Sequence, residues 1–293
     1  MKRILITGAT GNVGMEVIRF LIMNDNNFRI IAGVRNITEA AKKFDKSEKL
    51  EFLHFDFEDP DTFKEALKSV DSVFLLRPPH ISAIDRYFKP LISAMLTSGI
   101  REVVFLSVQG AEKSKIIPHN QIEKLIRDAG IPYIFLRPSY FMQNLTTTLL
   151  PDIQQKRKII LPSGKAKFNW VDIQNIGEVS AILLEKFEEY SNRAIELTGS
   201  ENRSFGEVTS LINQQISDQI AFENVTPFKF FRIKKLENMS KGMILVMILL
   251  HFLPRFQKEA RISGFYEQLT GKKPATLSEF IQREKVKFGK VLG

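Results

Sequence analysis

The sequence predicts a doubly wound α/β fold, a parallel sheet joined to a smaller, mostly helical C-terminal lobe. Three observations carry this. Short apolar runs alternate with helix-period segments through roughly the first two hundred residues. Those runs are continuously apolar, as strands buried on both faces are, and the helical crossovers between them imply parallel pairing. The first run ends in a glycine-rich turn that opens a helix.

Arg3 to Thr7 reads as the first strand, followed by a helix with Val13, Val17 and Leu21 on one face and Ile18 and Ile22 beside it. Phe28 to Val34 and Leu50 to Phe55 are the second and third strands. Asp59-Pro60 supplies an N-cap and a first-turn proline for a helix whose stripe is Phe63, Ala66, Leu67 and Val70. Ser72 to Leu76 is the fourth strand, and a helix ending near Gly99 leads to the fifth, Glu102 to Ser107. A helix from about His119 to Ala129, stopped by Gly130, precedes strand Tyr133 to Arg137. Later, Asp172 can cap a helix carrying Ile176, Val179, Ile182 and Leu183, and Ala194 to Thr198 reads as a further strand. Residues 1–138, with 169–198 returning, thus form the sheet domain. Residues 139–168 and 199–293 form the smaller lobe, expected over the carboxyl ends of the strands, where ligands bind in such sheets.

A chain of 293 residues buries a substantial core, and 44% hydrophobic with 26% charged residues is ordinary for a globular protein. The absence of cysteine removes disulfides and thiol catalysis and fits a reducing compartment, so a cytoplasmic location is expected. The net charge is +9, yet the basic clusters Lys156-Arg157-Lys158 and Arg232-Ile233-Lys234-Lys235 are too short for a docking stripe. Dedicated nucleic-acid binding is not expected; a basic surface steers anionic small molecules instead. Lys2-Arg3 before Ile4-Leu5-Ile6 resembles a signal peptide only until Thr7-Gly8 interrupts the run. Met243 to Leu250, prolonged to about Leu253, is too short to span a bilayer, so a buried or partner-facing helix is expected, with no membrane contact. The four histidines show no metal-ligand spacing, and no nucleophile elbow occurs.

The turn Gly8-Ala9-Thr10-Gly11-Asn12-Val13-Gly14 carries the clearest chemistry. Placed between a strand and a helix, it directs free N–H groups and a helix dipole at a phosphate. Gly8 allows the sharp turn, Gly11 the approach of a pyrophosphate, and Gly14 close helix–strand packing. This context makes the sheet Rossmann-type and the ligand a dinucleotide. After the second strand stands Val34-Arg35-Asn36, where NAD-binding folds usually carry an acid for the ribose 2′-hydroxyl. A guanidinium pairs with a 2′-phosphate, so NADP(H) is favoured over NAD(H); otherwise Arg35 is a surface residue. Asp56 and Phe57 are placed to meet the adenine edge and face, or else open the following turn. Leu76, Arg77 and Pro78 follow the fourth strand, alongside the ribose and phosphates or as a stiff loop. Ser107, at the end of the fifth strand, is placed to hydrogen-bond cofactor or substrate, or is a plain strand-end serine.

The chain resembles the atypical short-chain dehydrogenase/reductases of the NmrA-like and triphenylmethane-reductase-like branch. The likeness rests on Leu5 to Gly14, Ser98 to Val104, Gly130 to Tyr133, Leu136 to Leu145 and Leu269 to Pro274. It implies an N-terminal NADP(H) site with the loop of Pro138, Ser139, Tyr140, Phe141 and Met142 near the nicotinamide. It further implies that Tyr140 and Phe141 wall the substrate pocket and that Asn144 supports it. Members of the branch include quinone and dye reductases as well as nucleotide-binding regulators.

One departure bears on catalysis. Short-chain dehydrogenases typically use Tyr-x-x-x-Lys, whose lysine lowers the tyrosine pKa for proton exchange. Here the helix reads His119-Asn120-Gln121-Ile122-Glu123-Lys124, with no tyrosine, and Glu123 where some relatives place a lysine. His119 and Tyr140 are the remaining catalytic candidates; His119 is an acid near neutral pH or merely a helix-start residue. Two functions follow. One is an NADPH-dependent oxidoreductase passing hydride to a conjugated acceptor such as a quinone or dye. The other is a catalytically silent NADP(H)-sensing regulator with a protein partner. The oligomeric state stays open.

Overall fold

The computed structural model describes residues 1–24, 28–115 and 117–289. The chain divides into two units: Met1–Pro138 with Ile173–Leu197 and Gln268–Gly271, and Ser139–Asp172 with Thr198–Glu267 and Lys272–Gly293. Residues 25–27 and 116 of the expected sheet domain, and 290–293 of the expected lobe, lie outside the described residues.

The first unit is built on a seven-stranded, wholly parallel sheet. Its strands are β1 (Lys2–Ile6), β2 (Phe28–Val34), β3 (Leu50–His54), β4 (Ser72–Leu76), β5 (Glu102–Leu106), β6 (Tyr133–Pro138) and Arg193–Leu197. Across the sheet the order is Arg193–Leu197, β6, β5, β4, β1, β2, β3. Chain direction across the sheet reverses between β1 and β4, so a crevice opens outside the carboxyl ends of those two strands.

Ile4, Leu5, Ile6, Ile30, Ile31 and Phe74 are fully buried, each contributing about 1.5–3 kcal/mol of hydrophobic stabilisation. On one face, helix α1 (Asn12–Met23) packs against helix Ile173–Glu185. Gly177 permits this contact, because a Cβ there would lie 2.6 Å from Glu16 Cβ. The other face buries Phe63, Phe88, Met95, Ile122 and Ile126 from helices Asp61–Ala66, Ile84–Thr97 and Pro118–Asp128. The helix expected at Asp59-Pro60 starts at Asp61, whose N–H donates to Asp59 Oδ1 (3.2 Å).

The second unit holds helices Phe205–Asn213, Pro227–Leu236, Lys241–Phe252 and Leu277–Phe288, plus two small sheets absent from the sequence expectation. One joins Asn202–Ser204, Lys167–Val171 and Tyr140–Phe141; the other joins Ala221–Asn224 and Lys158–Leu161. The return to the first unit therefore begins at Ile173, not at residue 169, because Lys167–Val171 pairs within the second unit. Gly199 is obligatory here, since a Cβ would overlap the Trp170 carbonyl oxygen.

Candidate functional site

Thr7, fully buried at the end of β1, ties the crevice together. Its Oγ1 donates to the Phe74 carbonyl (3.2 Å) and accepts the Leu76 N–H (2.8 Å), joining the carboxyl ends of β1 and β4. Gly8 then takes a φ of +61°, a conformation that disfavours any side chain, and the Leu76 side chain packs beneath it. At Gly14 an added Cβ would overlap the Gly8 carbonyl oxygen and stand 2.8 Å from Ala9 Cα. Gly11 differs: its φ of −84° suits any residue, and a Cβ would meet only the Gly8 oxygen, at 3.2 Å. Ala9 and Val13 turn into the core, while Gly11 and Asn12 are exposed at the mouth of the turn. Thr10 is half-buried between them.

Gly11 is also the N-cap of α1. It offers no side chain to the first-turn N–H groups, and that turn carries no acid. Helices Phe205–Asn213, Pro227–Leu236, Lys241–Phe252 and Leu277–Phe288 instead begin at a serine or threonine cap. Bare donors and the positive end of the dipole make the start of α1 an anion cradle.

Around this cradle the predicted contacts divide. Arg35 stands exposed just past β2, with no ion pair or hydrogen bond among the described residues, while Asn36 caps the next short helix by accepting the Glu39 N–H (3.0 Å). Phe57 does not offer its ring to a ligand. It is buried, edge-on to Phe55 (5.0 Å between centroids) and packed on Phe88 (5.2 Å). Asp56 spends one carboxylate oxygen on the Glu58 N–H (3.0 Å). Arg77 is likewise committed, because its Nη1 donates to the carbonyls of Pro78 (3.1 Å), Pro79 (3.3 Å) and Ile81 (2.6 Å). It braces its own loop, and Pro78 shapes that loop.

Ser107 is nearly fully buried and donates from Oγ to Glu123 Oε1 (2.6 Å). Glu123, with no exposed surface, also receives Arg137 Nε on Oε1 (2.9 Å) and Arg137 Nη2 on Oε2 (2.7 Å). Arg137 reaches Glu112 through Nη1 (2.8 Å), and these carboxylates raise its pKa. The position where some relatives place a lysine therefore carries a buried carboxylate paired with arginine. Sequence reasoning missed this pair; its one signal is a charged residue inside each of two apolar patterns, Ile122-Glu123 and Leu136-Arg137.

His119 does not serve as an acid at neutral pH. Burial, with the Arg77 guanidinium beside it, lowers its pKa to about 3. Its Nε2 faces Arg77 Nε at 3.5 Å, so the neutral ring keeps its proton on Nδ1.

Within the second unit, Tyr140 sits among Trp170 (4.8 Å), Phe168 (5.5 Å), His251 (5.6 Å) and Phe205 (5.9 Å). The Met247 carbonyl can only accept, so His251 Nδ1 carries the proton (2.7 Å) and Nε2 accepts from the Tyr140 hydroxyl (3.0 Å). Burial holds His251 neutral, with a pKa of about 4, and pushes the Tyr140 phenol up, against a smaller lowering by the Asn144 side chain. Tyr140 is thus an anchored pillar and no proton donor near neutrality. Phe141, on the same two-residue strand, is half-buried with no aromatic partner among the described residues. Ser139 Oγ donates to Asn169 Oδ1 (2.7 Å), and Asn169 Nδ2 donates to the Gly199 carbonyl (3.1 Å). Pro138 ends β6, its carbonyl accepting the Gln109 N–H (2.9 Å).

The model of the NmrA-like family matches residues 1–281. Among curated proteins, the chain is 27% identical over 277 residues to prestalk A differentiation protein A of Dictyostelium discoideum, covering 94% of this chain and 90% of that protein. It is 24% identical over 291 residues to an NAD(P)H azoreductase of Xenophilus azovorans, covering 98% and 99%. Among solved structures it resembles Citrobacter sp. triphenylmethane reductase complexed with NADP(H). The TM-score there is 0.83 at 20% identity, covering 96% of this chain and 99% of that one.

Proposed function

The chain belongs to the NmrA-like family, and from that premise we propose that it is an NADPH-dependent oxidoreductase delivering hydride to a conjugated acceptor such as a quinone or dye. The observation that carries the proposal is the glycine turn. Its first-turn donors are uncapped, and Gly11 at its mouth has a backbone conformation open to any residue, with the Gly8 carbonyl oxygen, 3.2 Å away, as the one atom a Cβ would press on. A dinucleotide pyrophosphate fits such a cradle. Arg35, charged and unpaired beside it, favours the 2′-phosphate of NADP(H) over the bare ribose of NAD(H).

In this reading the first unit is the cofactor domain, and bound NADPH supplies the hydride. The second unit recognises the acceptor, with Phe141 offering its free ring and Tyr140 and Asn144 holding that strand in place. Neither His119 nor Tyr140 can release a proton near neutrality, and Glu123 is neutralised by Arg137. The chemistry that suits this chain is therefore reduction of acceptors that take their proton from water, as quinones and cationic dyes do. The names of the azoreductase and the triphenylmethane reductase support the same substrate class.

The test is a panel of quinones, azo dyes and triphenylmethane dyes with either nicotinamide. The expected result is acceptor-dependent oxidation of NADPH, faster than of NADH. Tight NADPH binding with no turnover of any acceptor would contradict the proposal.

A further inference from the structure

Helix Lys241–Phe252 and the turn after it leave an apolar face uncovered. Ile244, Met247 and His251 point into the second unit's core. Met243, Leu245, Val246, Leu249, Leu250 and Leu253 lie on the opposite side, exposed between 41% and 58%. At 100° per residue these six share one continuous arc. At about 100 Å² for each half-exposed side chain, the patch reaches roughly 600 Å², the top of the range for the largest apolar patch on a monomer, where such patches are often functional. Phe228, Leu236, Phe256 and Ile262, still more or comparably exposed, come from the flanking segments.

The charges around this face have one sign. Residues 242–254 contain no Asp, Glu, Lys or Arg. On either side stand Arg232, Lys235, Lys241, Arg255, Lys258 and Arg261, all exposed and none ion-paired among the described residues. The two acids of the same stretch are already taken, Glu237 by Lys234 and Lys156, and Glu259 by Lys167. A cavity of about 610 Å³ adjoins the end of the helix, with Lys165, Lys167 and Arg255 among its lining residues.

We infer that this face docks on an anionic lipid bilayer, with the aliphatic side chains entering the acyl boundary and the flanking cations engaging headgroup phosphates. Three features select a bilayer. A second copy of the chain in a two-fold pair would bring the same unpaired cations face to face. The side chains are leucine, valine and methionine, while protein-binding hot spots favour tryptophan, tyrosine and arginine. A helix whose inner face packs into the core, whose outer face is aliphatic and whose flanks carry unpaired cations presents apolar surface and positive charge together, the pairing an anionic bilayer surface attracts. The helix has 12 residues, about 18 Å of length against a hydrocarbon core of about 30 Å. No helix among the described residues is long and apolar enough to cross a membrane. Length thus rules out crossing and leaves lying on the surface, which revises the expectation of no membrane contact. Conjugated apolar acceptors partition into bilayers, so the surface would also bring the protein to the substrate class proposed above; lipid binding itself does not depend on that reading.

Vesicle flotation of the full chain, without cofactor or acceptor, tests this. With phosphatidylcholine vesicles containing about one-third phosphatidylglycerol, the protein floats at low salt, and binding drops on the order of tenfold in about 0.5 M salt. With pure phosphatidylcholine it stays largely unbound. The variant L245E/L249E and, separately, the charge reversal K241E/K258E each reduce anionic-vesicle binding on the order of tenfold, with an unchanged melting temperature and NADPH affinity. The inference is overturned if the wild type ignores anionic vesicles, binds both lipids equally, or floats as well with both substitutions sets in place. It is also overturned if the wild type is a dimer in solution that L245E/L249E dissociates, because a second copy then covers the face.

Discussion

Two helices of equal length make opposite use of apolar sequence. Asn12–Met23 buries Val13, Val17, Ile18 and Leu21 and leaves its N-terminus without a side-chain cap. Lys241–Phe252 caps its N-terminus with Ser240, whose Oγ accepts the Met243 N–H (3.3 Å), and leaves its leucines outside. What each helix fails to satisfy within the fold points to what it binds. Bare N–H donors call for an anion, and bare aliphatic side chains call for an apolar phase.

The comparison breaks most visibly in stability. Val17→Glu places a charge in the buried seam of α1 and should cost about 4 kcal/mol or more, enough to unfold a marginal domain. Leu249→Glu should stay within about 0.5 kcal/mol. Urea denaturation of both variants checks this; equal costs would mean that the outer face of Lys241–Phe252 is covered in solution.

Next in size is the buried pair behind Ser107. Glu123→Leu leaves Arg137 buried without its main counter-charge and should cost roughly 3 kcal/mol, whereas the double change Glu123→Leu with Arg137→Met should cost far less. A double-mutant cycle by denaturation reads the difference. Near-additive losses would show that the pair is not coupled.

Arg35→Glu sharpens the cofactor half of the comparison. It should lower the preference for NADPH over NADH by at least about tenfold, roughly 1.4 kcal/mol, without moving the melting temperature. An unchanged affinity ratio would remove Arg35 from the site.

The remaining prediction concerns pH. His119 and His251 have folded pKa values of about 3 and 4 against an ordinary 6.5. Both bind protons more weakly folded than unfolded, so the stability they contribute is full above about 6.5 and is lost as pH falls toward 4 and then 3. The urea midpoint should therefore decline from pH 7 to pH 4.5, and less steeply in His119→Gln. An identical decline in that variant would place its imidazole in water.

The legible parts of the molecule were those written in local pattern. Strands Phe28–Val34 and Ser72–Leu76 match the predicted limits, because a run buried on both faces is apolar throughout and ends where the chain reaches the crevice. The glycine turn was legible for the same reason, since Gly8 answers a left-handed φ and Gly14 a close backbone contact within a few residues. Phe57 misled because an aromatic after a strand end looks the same whether it faces a ligand or, as here, Phe55 and Phe88. Arg77 stayed between two readings in the sequence because only the folded loop shows three carbonyls converging on its guanidinium. The pairing of Glu123 with Arg137 and the seat of Tyr140 against His251 join residues 14 and 111 positions apart, beyond the reach of periodicity. Strand Lys167–Val171 was missed because its buried centre includes Asn169, whose side chain bonds Ser139 and Gly199 in place of apolar contacts.

The central claim is that the open turn before α1 holds a dinucleotide phosphate, and Gly11 separates that claim from simple packing. Gly14→Ala would drive a Cβ into the Gly8 carbonyl oxygen and disturb the fold itself, whereas at Gly11 the φ accepts a side chain and the same oxygen, at 3.2 Å, need give only a few tenths of an ångström. Calorimetric titration of NADPH into the wild type and Gly11→Val is the direct measurement. The account predicts a variant that melts within a few degrees of the wild type and binds NADPH at least tenfold more weakly. A folded Gly11→Val that binds NADPH as tightly as the wild type would contradict it.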